Sequence, residues 1–171
     1  KNQTATAKTG SLKGSKQGAA PGKTWQPRVW PFGVGEKITM ALSYGMIQAG
    51  QATLEVLDRK LIDGVPVLHY RGEVRTSPFA ELFYKVDDKV NSWVSFNDHL
   101  PRRMEIVQNE SGRWGRRVVV FDGEKSTAKY FATINFKDGK KQEFKREDPV
   151  TPFAQDVFGA LYYYRFLDLG E

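Results

Sequence analysis

The sequence predicts a mainly β domain: a curved antiparallel sheet or open β-barrel, connected as a meander, with one short helix after the third strand and a C-terminal helix packed on the sheet. Three observations predict it. From Trp30 to Val56 two period-two runs are joined by a short glycine-bearing link. Turn signals then recur at short, fairly even intervals with strand-like runs between them. Near the end, one segment carries a broad apolar stripe at helical spacing.

In the first run Ile38, Met40, Leu42 and Tyr44 alternate with Thr39, Ala41 and Ser43. A connection from Gly45 to Gly50 is expected, after which alternation resumes at Ala52, Leu54 and Val56. Asp63-Gly64 is a tight-turn signal between Leu57–Ile62 and Val65–Val74. In the second of these, Leu68, Tyr70 and Val74 point one way and His69, Arg71, Glu73 and Arg75 the other, as in a half-solvated strand. Ser77-Pro78 reads as a helix start, with serine as cap and proline at the first position. Phe79, Leu82 and Phe83 then share one face of a single short helix.

Strands follow at Lys89–Phe96, Arg102–Gln108, Arg116–Phe121, Ala128–Phe136 and Gln142–Lys145. They are separated by Asn97 to Pro101, Glu110-Ser111-Gly112, Asp122-Gly123 and Asp138-Gly139. The last helix is expected to begin with Thr151 as cap and Pro152 at its first position. Phe153, Val157 and Leu161, widened by Ala154, Phe158 and Tyr162, would face the sheet.

Charge divides the chain into a tail over residues 1–28 and a single domain over residues 29–171. The tail holds basic residues at 1, 8, 13, 16, 23 and 28 and no acid. Without those six, the 26 basic residues fall to the number of acids, 20, so the net charge of +6 belongs to the tail. A high isoelectric point of that origin is no sign of a nucleic-acid-binding face. The tail is poor in apolar residues and is expected to be a disordered linker, able to contact anionic surfaces. The sequence starts at Lys1; a removed signal peptide and a trimmed chain both account for that.

The chemistry that composition excludes is plain. There is no cysteine, hence no disulfide, thiol nucleophile or thiolate metal site. The two histidines, His69 and His99, lack a partner at ligand spacing, so no metal is expected. No nucleophile-elbow or phosphate-loop motif is present, and no cofactor or catalytic residue is expected. Asp87-Asp88 and Asp98 read as turn residues. The basic–aromatic group Arg113, Trp114, Arg116 and Arg117 fits an exposed hairpin tip, and could meet an anionic glycan, lipid head group or protein. Phe158 and Tyr162, among the aromatics of the last helix, fill the sheet or, in the alternative, line a cavity for an acyl chain.

Several segments together resemble a bacterial family, domain of unknown function 3108. They are Gly35 to Met40, the G-x-x-x-A-G-x-A of Gly45 to Ala52, Tyr84 to Val90, His99 to Arg103, Val118 to Asp122, and Pro152 to Arg165. The resemblance covers Trp30 to Arg165 and is carried by order and spacing more than by any one motif. It implies an exported, envelope-associated β-rich protein of a Gram-negative bacterium, periplasmic or envelope-bound, with its signal peptide removed. It carries no catalytic or ligand residue. Members of that family usually run on past the arginine matching Arg165 with further strands, and loss of those would leave a sheet edge open. The function expected is a non-catalytic envelope binding or scaffold domain, contacting a protein, a lipid or a cell-wall glycan. A hydrolase of envelope polymers and an open-barrel lipid or lipoprotein carrier are the alternatives.

Overall fold

The structure is a computed structural model that describes residues 31–166. The basic tail expected over residues 1–28 lies outside the described residues. Eight strands form one antiparallel sheet in strict chain order, each paired with the next. They are β1 (Lys37–Tyr44), β2 (Ile47–Ile62), β3 (Val65–Thr76), β4 (Asp87–Ser95), β5 (Pro101–Glu110), β6 (Arg113–Asp122), β7 (Thr127–Phe136) and β8 (Lys141–Pro149). A short helix, α1 (Pro78–Glu81), joins β3 to β4, and α2 (Val157–Tyr164) follows β8. The sheet is curved and does not close: among the described strands β1 pairs only with β2, and β8 only with β7. Register shifts at Leu42/Ser43, Val56/Asp58 and Trp93/Val94 are bulges that bend it.

Turn chemistry explains the connections. Asp63 and Gly64 both hold positive φ, 49° and 78°, the paired left-handed geometry that matches the twist of a two-residue hairpin. Ser77 caps α1 as expected, accepting from the Ala80 amide at 3.3 Å.

Because side chains alternate across a strand, register assigns every residue to a face. Val56, Leu68, Tyr70 and Val94 share the face on which α2 lies, and with Phe32, Phe158 and Tyr162 they form the core. Gly72 lies in the middle of that contact. A Cβ there would stand 2.6 Å from Phe158 Cζ, so glycine is what lets α2 approach the sheet.

Four expectations need correction. The first hairpin link is only Gly45 and Met46, since β2 already starts at Ile47. The alternating residues of β1 are not core: its whole length is exposed, and no described residue closes over its apolar side. The apolar face of α1 also points outward, and none of its residues is buried. Lastly, α2 begins five residues later than Pro152, and Phe153, Val157 and Leu161, expected to face the sheet, are exposed, while Phe158 and Tyr162 are buried against it. Phe153 sits at φ 69°, outside right-handed helical space, and Thr151–Ala154 makes a single turn closed by Ala154 N–H donating to Thr151 O at 3.1 Å. Asp156 is the true cap, because its carboxylate accepts both from the Gly159 amide at 2.7 Å and from the buried Ser92 hydroxyl.

Candidate functional site

The helix-bearing face has two halves, and they differ in chemistry. The covered half is held by α2 and the chain leading into β1. Arg165, just past α2, forms a two-pronged ion pair with Glu36; its Nη2 donates to Oε2 at 3.1 Å and also to Pro31 O at 2.8 Å. The same guanidinium lies 5.3 Å from the Phe32 ring centroid, over the ring. Phe32 in turn meets Tyr162 edge-on at 4.7 Å, and Tyr162 stacks on Tyr70 at 4.4 Å. His99, in the β4–β5 turn, holds the helix from its other side. Its Nε2 lies 3.2 Å from Gly159 O, and Gln155 Nε2 donates to His99 O at 3.1 Å.

Three of the recognised sequence motifs, around Glu36, His99 and Arg165, therefore meet at one place. Their shared task is to dock α2. Burial sets the electrostatics here. It raises the Asp156 carboxyl above its usual range, even though Ser92 and the helix amides oppose the shift. It lowers His99, keeping the ring neutral, and pushes the Tyr162 hydroxyl up to about 12. The Tyr70 hydroxyl is raised further still, again by burial. Ser92 and Asp156 form a hydroxyl–carboxylate pair, but the carboxylate is committed to the helix cap and both residues are closed off from solvent. This arrangement anchors a helix and leaves no side open to a substrate.

The other half of the same face is uncovered. Ile38, Met40 and Leu42 of β1 and Val74 of β3 lie between 39 and 42 % exposed. Register places Ala52 among them, opposite both Met40 and Val74. Further across the sheet this apolar wall runs into polar residues, Asp88 of β4, Gln108 of β5 and Arg117 of β6, on the same side. Burial raises the Asp88 carboxyl despite the amide of Asn109 donating to it at 2.9 Å. The uncovered half is thus amphipathic: a strip of methyl and thioether groups beside a polar strip.

The residues singled out by the sequence do not form one site. Phe158 and Tyr162 are buried in the core beneath α2. Arg113, Trp114, Arg116 and Arg117 lie along β6 itself, so alternation divides them between faces. The hairpin tip is Ser111-Gly112 instead. Arg113 and Arg117 share the helix-bearing face, where Arg113 donates to Glu110 at 2.8 Å and holds that carboxyl down at about 2. Trp114 and Arg116 face the other way, and Arg116 donates to Glu105 at 2.8 Å. Arg116, Val118, Phe131 and Lys145 border a shallow depression of about 430 Å³ there.

His69 also lies on this opposite face. It is stacked on Trp93 at 4.7 Å, with Nε2 2.9 Å from Asn91 Oδ1, and burial lowers its pKa. Among the described residues no group of three or more His, Asp or Glu is placed to hold a metal ion. No described helix is long and apolar enough to cross a membrane, which leaves strands out of account.

Fold and site together define a class: an open antiparallel β-meander, one apolar face of which is half closed by a C-terminal helix. The chain belongs to the family described as protein of unknown function (DUF3108), whose model matches residues 39–171. No curated protein matches, and no solved structure does.

Proposed function

We propose that this is a non-catalytic binding domain of the bacterial cell envelope, which takes the acyl part of a lipid against the uncovered half of its helix-bearing face. One observation carries the reading: a row of apolar side chains, Ile38, Met40, Leu42 and Val74, stands open to solvent on the very face that forms the core a few residues away. Isolated apolar side chains on a surface are ordinary, but a contiguous strip continuing a core is a contact surface. Beside it the half-buried guanidinium of Arg117 suits the anionic head of an amphipathic molecule, while Gln108 is buried and bonded to Glu110. The apolar strip itself holds no titratable group, so it suits binding rather than acid–base work, which needs converging titratable groups. Placement in the periplasm or envelope of a Gram-negative bacterium belongs to the proposal and is supported by the family resemblance.

Native mass spectrometry of the protein purified gently from its own source tests the reading. A co-purifying lipid is the expected result, lost in a Met40→Asp variant that still folds. Recovery of the bare chain, or of a glycan or protein that M40D does not displace, overturns it.

A further inference from the structure

In an antiparallel meander every second connection falls at the same end of the sheet. Four do so here: the β1–β2 link, the α1 segment, the β5–β6 turn and the β7–β8 turn. Hydrogen bonds join them into one row. Ser77 N–H donates to Ala49 O at 2.8 Å and its hydroxyl to Gln48 O at 2.9 Å, tying α1 to the start of β2. The Lys85 amide donates to the Ser111 hydroxyl at 2.7 Å, and Lys137 N–H to Gly112 O at 3.1 Å. The row is a continuous rim, not four separate loops.

One half of that rim is strongly apolar. Tyr44, Met46 and Ile47 surround the first hairpin tip, with Met46 wholly exposed at 103 %. Beside them α1 presents Phe79, and the turn that follows it Leu82 and Phe83, the last two at 79 and 78 % exposed. The α1 residues share no surface with the core, and the Phe79 and Phe83 rings are already packed edge-on at 5.6 Å. Leaving so many large apolar groups in water is unfavourable, roughly 25 cal/mol per Å² of apolar surface. The other half of the rim carries Lys85, Lys137, Lys140 and Lys141. Lys140 is paired with Asp138 at 2.6 Å and Lys141 with Glu143, which leaves Lys85 and Lys137 as the cations with no carboxylate partner among the described residues.

We propose that this rim docks on a lipid bilayer surface, with Met46, Leu82 and Phe83 entering the boundary between head groups and acyl chains and the lysine half lying on the phosphates. The shape favours a bilayer over a protein. The apolar groups protrude from the apices of two adjacent connections. The cleft between those connections is lined mainly by polar residues, Gln48, Gln51, Arg75, Thr76 and Ser77, so it offers no apolar groove to a partner's side chains. Aromatic rings next to aliphatic tips with lysines alongside is the composition that suits a membrane–water interface. The rim lies at the end toward which the uncovered apolar wall of β1 runs, yet the inference does not depend on that wall holding a ligand.

Vesicle co-sedimentation of the full chain tests it. Phosphatidylcholine vesicles in high salt are used, because the basic residues before position 29 have their own attraction to anionic lipid, which salt screens. The chain is expected to sediment with these vesicles. A Met46→Asp, Leu82→Asp double variant is expected to lose about tenfold or more in partitioning with thermal stability unchanged. Leu61→Asp, at the opposite end of the sheet, is expected to lose nothing. Binding that requires anionic vesicles, vanishes in salt and ignores the rim variant would assign the contact to the tail and overturn the proposal. So would absence of vesicle binding, and a cross-linked envelope protein at Met46 in cells would then assign the rim to a protein partner.

Discussion

The two halves of the helix-bearing face share one backbone pattern and have opposite fates. On β3, Leu68 and Tyr70 are buried, while Val74, four residues on from Tyr70 and on the same face, is 39 % exposed. Val56 of β2 is completely buried, yet Ile38, Met40 and Leu42 on the adjacent strand are not. Alternation is equally good in both halves. The difference is what lies above them: α2, Phe32 and the Arg165–Glu36 pair over one, nothing described over the other. Period-two patterning therefore reports which way a side chain points and is silent on whether anything closes over it.

Truncation separates the halves most strongly. Tyr162→Ala removes a ring that touches both Tyr70 and Phe32, and is expected to cost about 3–5 kcal/mol in urea unfolding. Met40→Ala, in the open half, is expected to cost less than about 1 kcal/mol. Equal costs would mean that β1 is covered in solution and would erase the contrast. Adding a methyl sharpens it: Gly72→Ala pushes against Phe158 and is expected to destabilise by about 1–3 kcal/mol. If the variant is neutral, α2 does not press on β3 as described.

The smallest effect is a pH slope, to which the covered half contributes through His99. Burial places the folded pKa of His99 below its ordinary 6.5, so the unfolded chain takes up that proton first. The stability contributed by the neutral ring is complete above pH 6.5 and is lost as pH falls from there through the lowered folded value. His69, also lowered by burial, adds a slope of the same sign. Replacing His99 by Asn, which tolerates its φ of 57°, is expected to flatten the decline without removing it. An unchanged profile of urea midpoint against pH would show that His99 is not held neutral beneath α2.

Much of the fold was legible because its signals are local. Asp63-Gly64 and Ser77-Pro78 encode their turn and cap within two residues, and both occur where expected. The start of α2 was not legible. Thr151-Pro152 is the better cap signal in isolation, but Asp156 gains a second donor, Ser92, from 64 positions away. The candidate site was read less well. The Arg113 to Arg117 group looked like one patch, and strand geometry divided it between faces. The exposed rim was hidden for the converse reason: Phe79, Leu82 and Phe83 have the spacing of a packed helix face, and only the finished molecule shows that no described residue covers them.

By itself, then, the chain determined its strands, their order as a meander, most of its turns and the family to which it belongs, because alternation and turn residues act between near neighbours. Which half of the apolar face is closed, where α2 begins, and which large apolar groups stay in water were decided by tertiary structure. Each depends on groups far apart in sequence, Glu36 with Arg165, Ser92 with Asp156 and Gly72 with Phe158, brought together only when the terminal helix settles on the sheet.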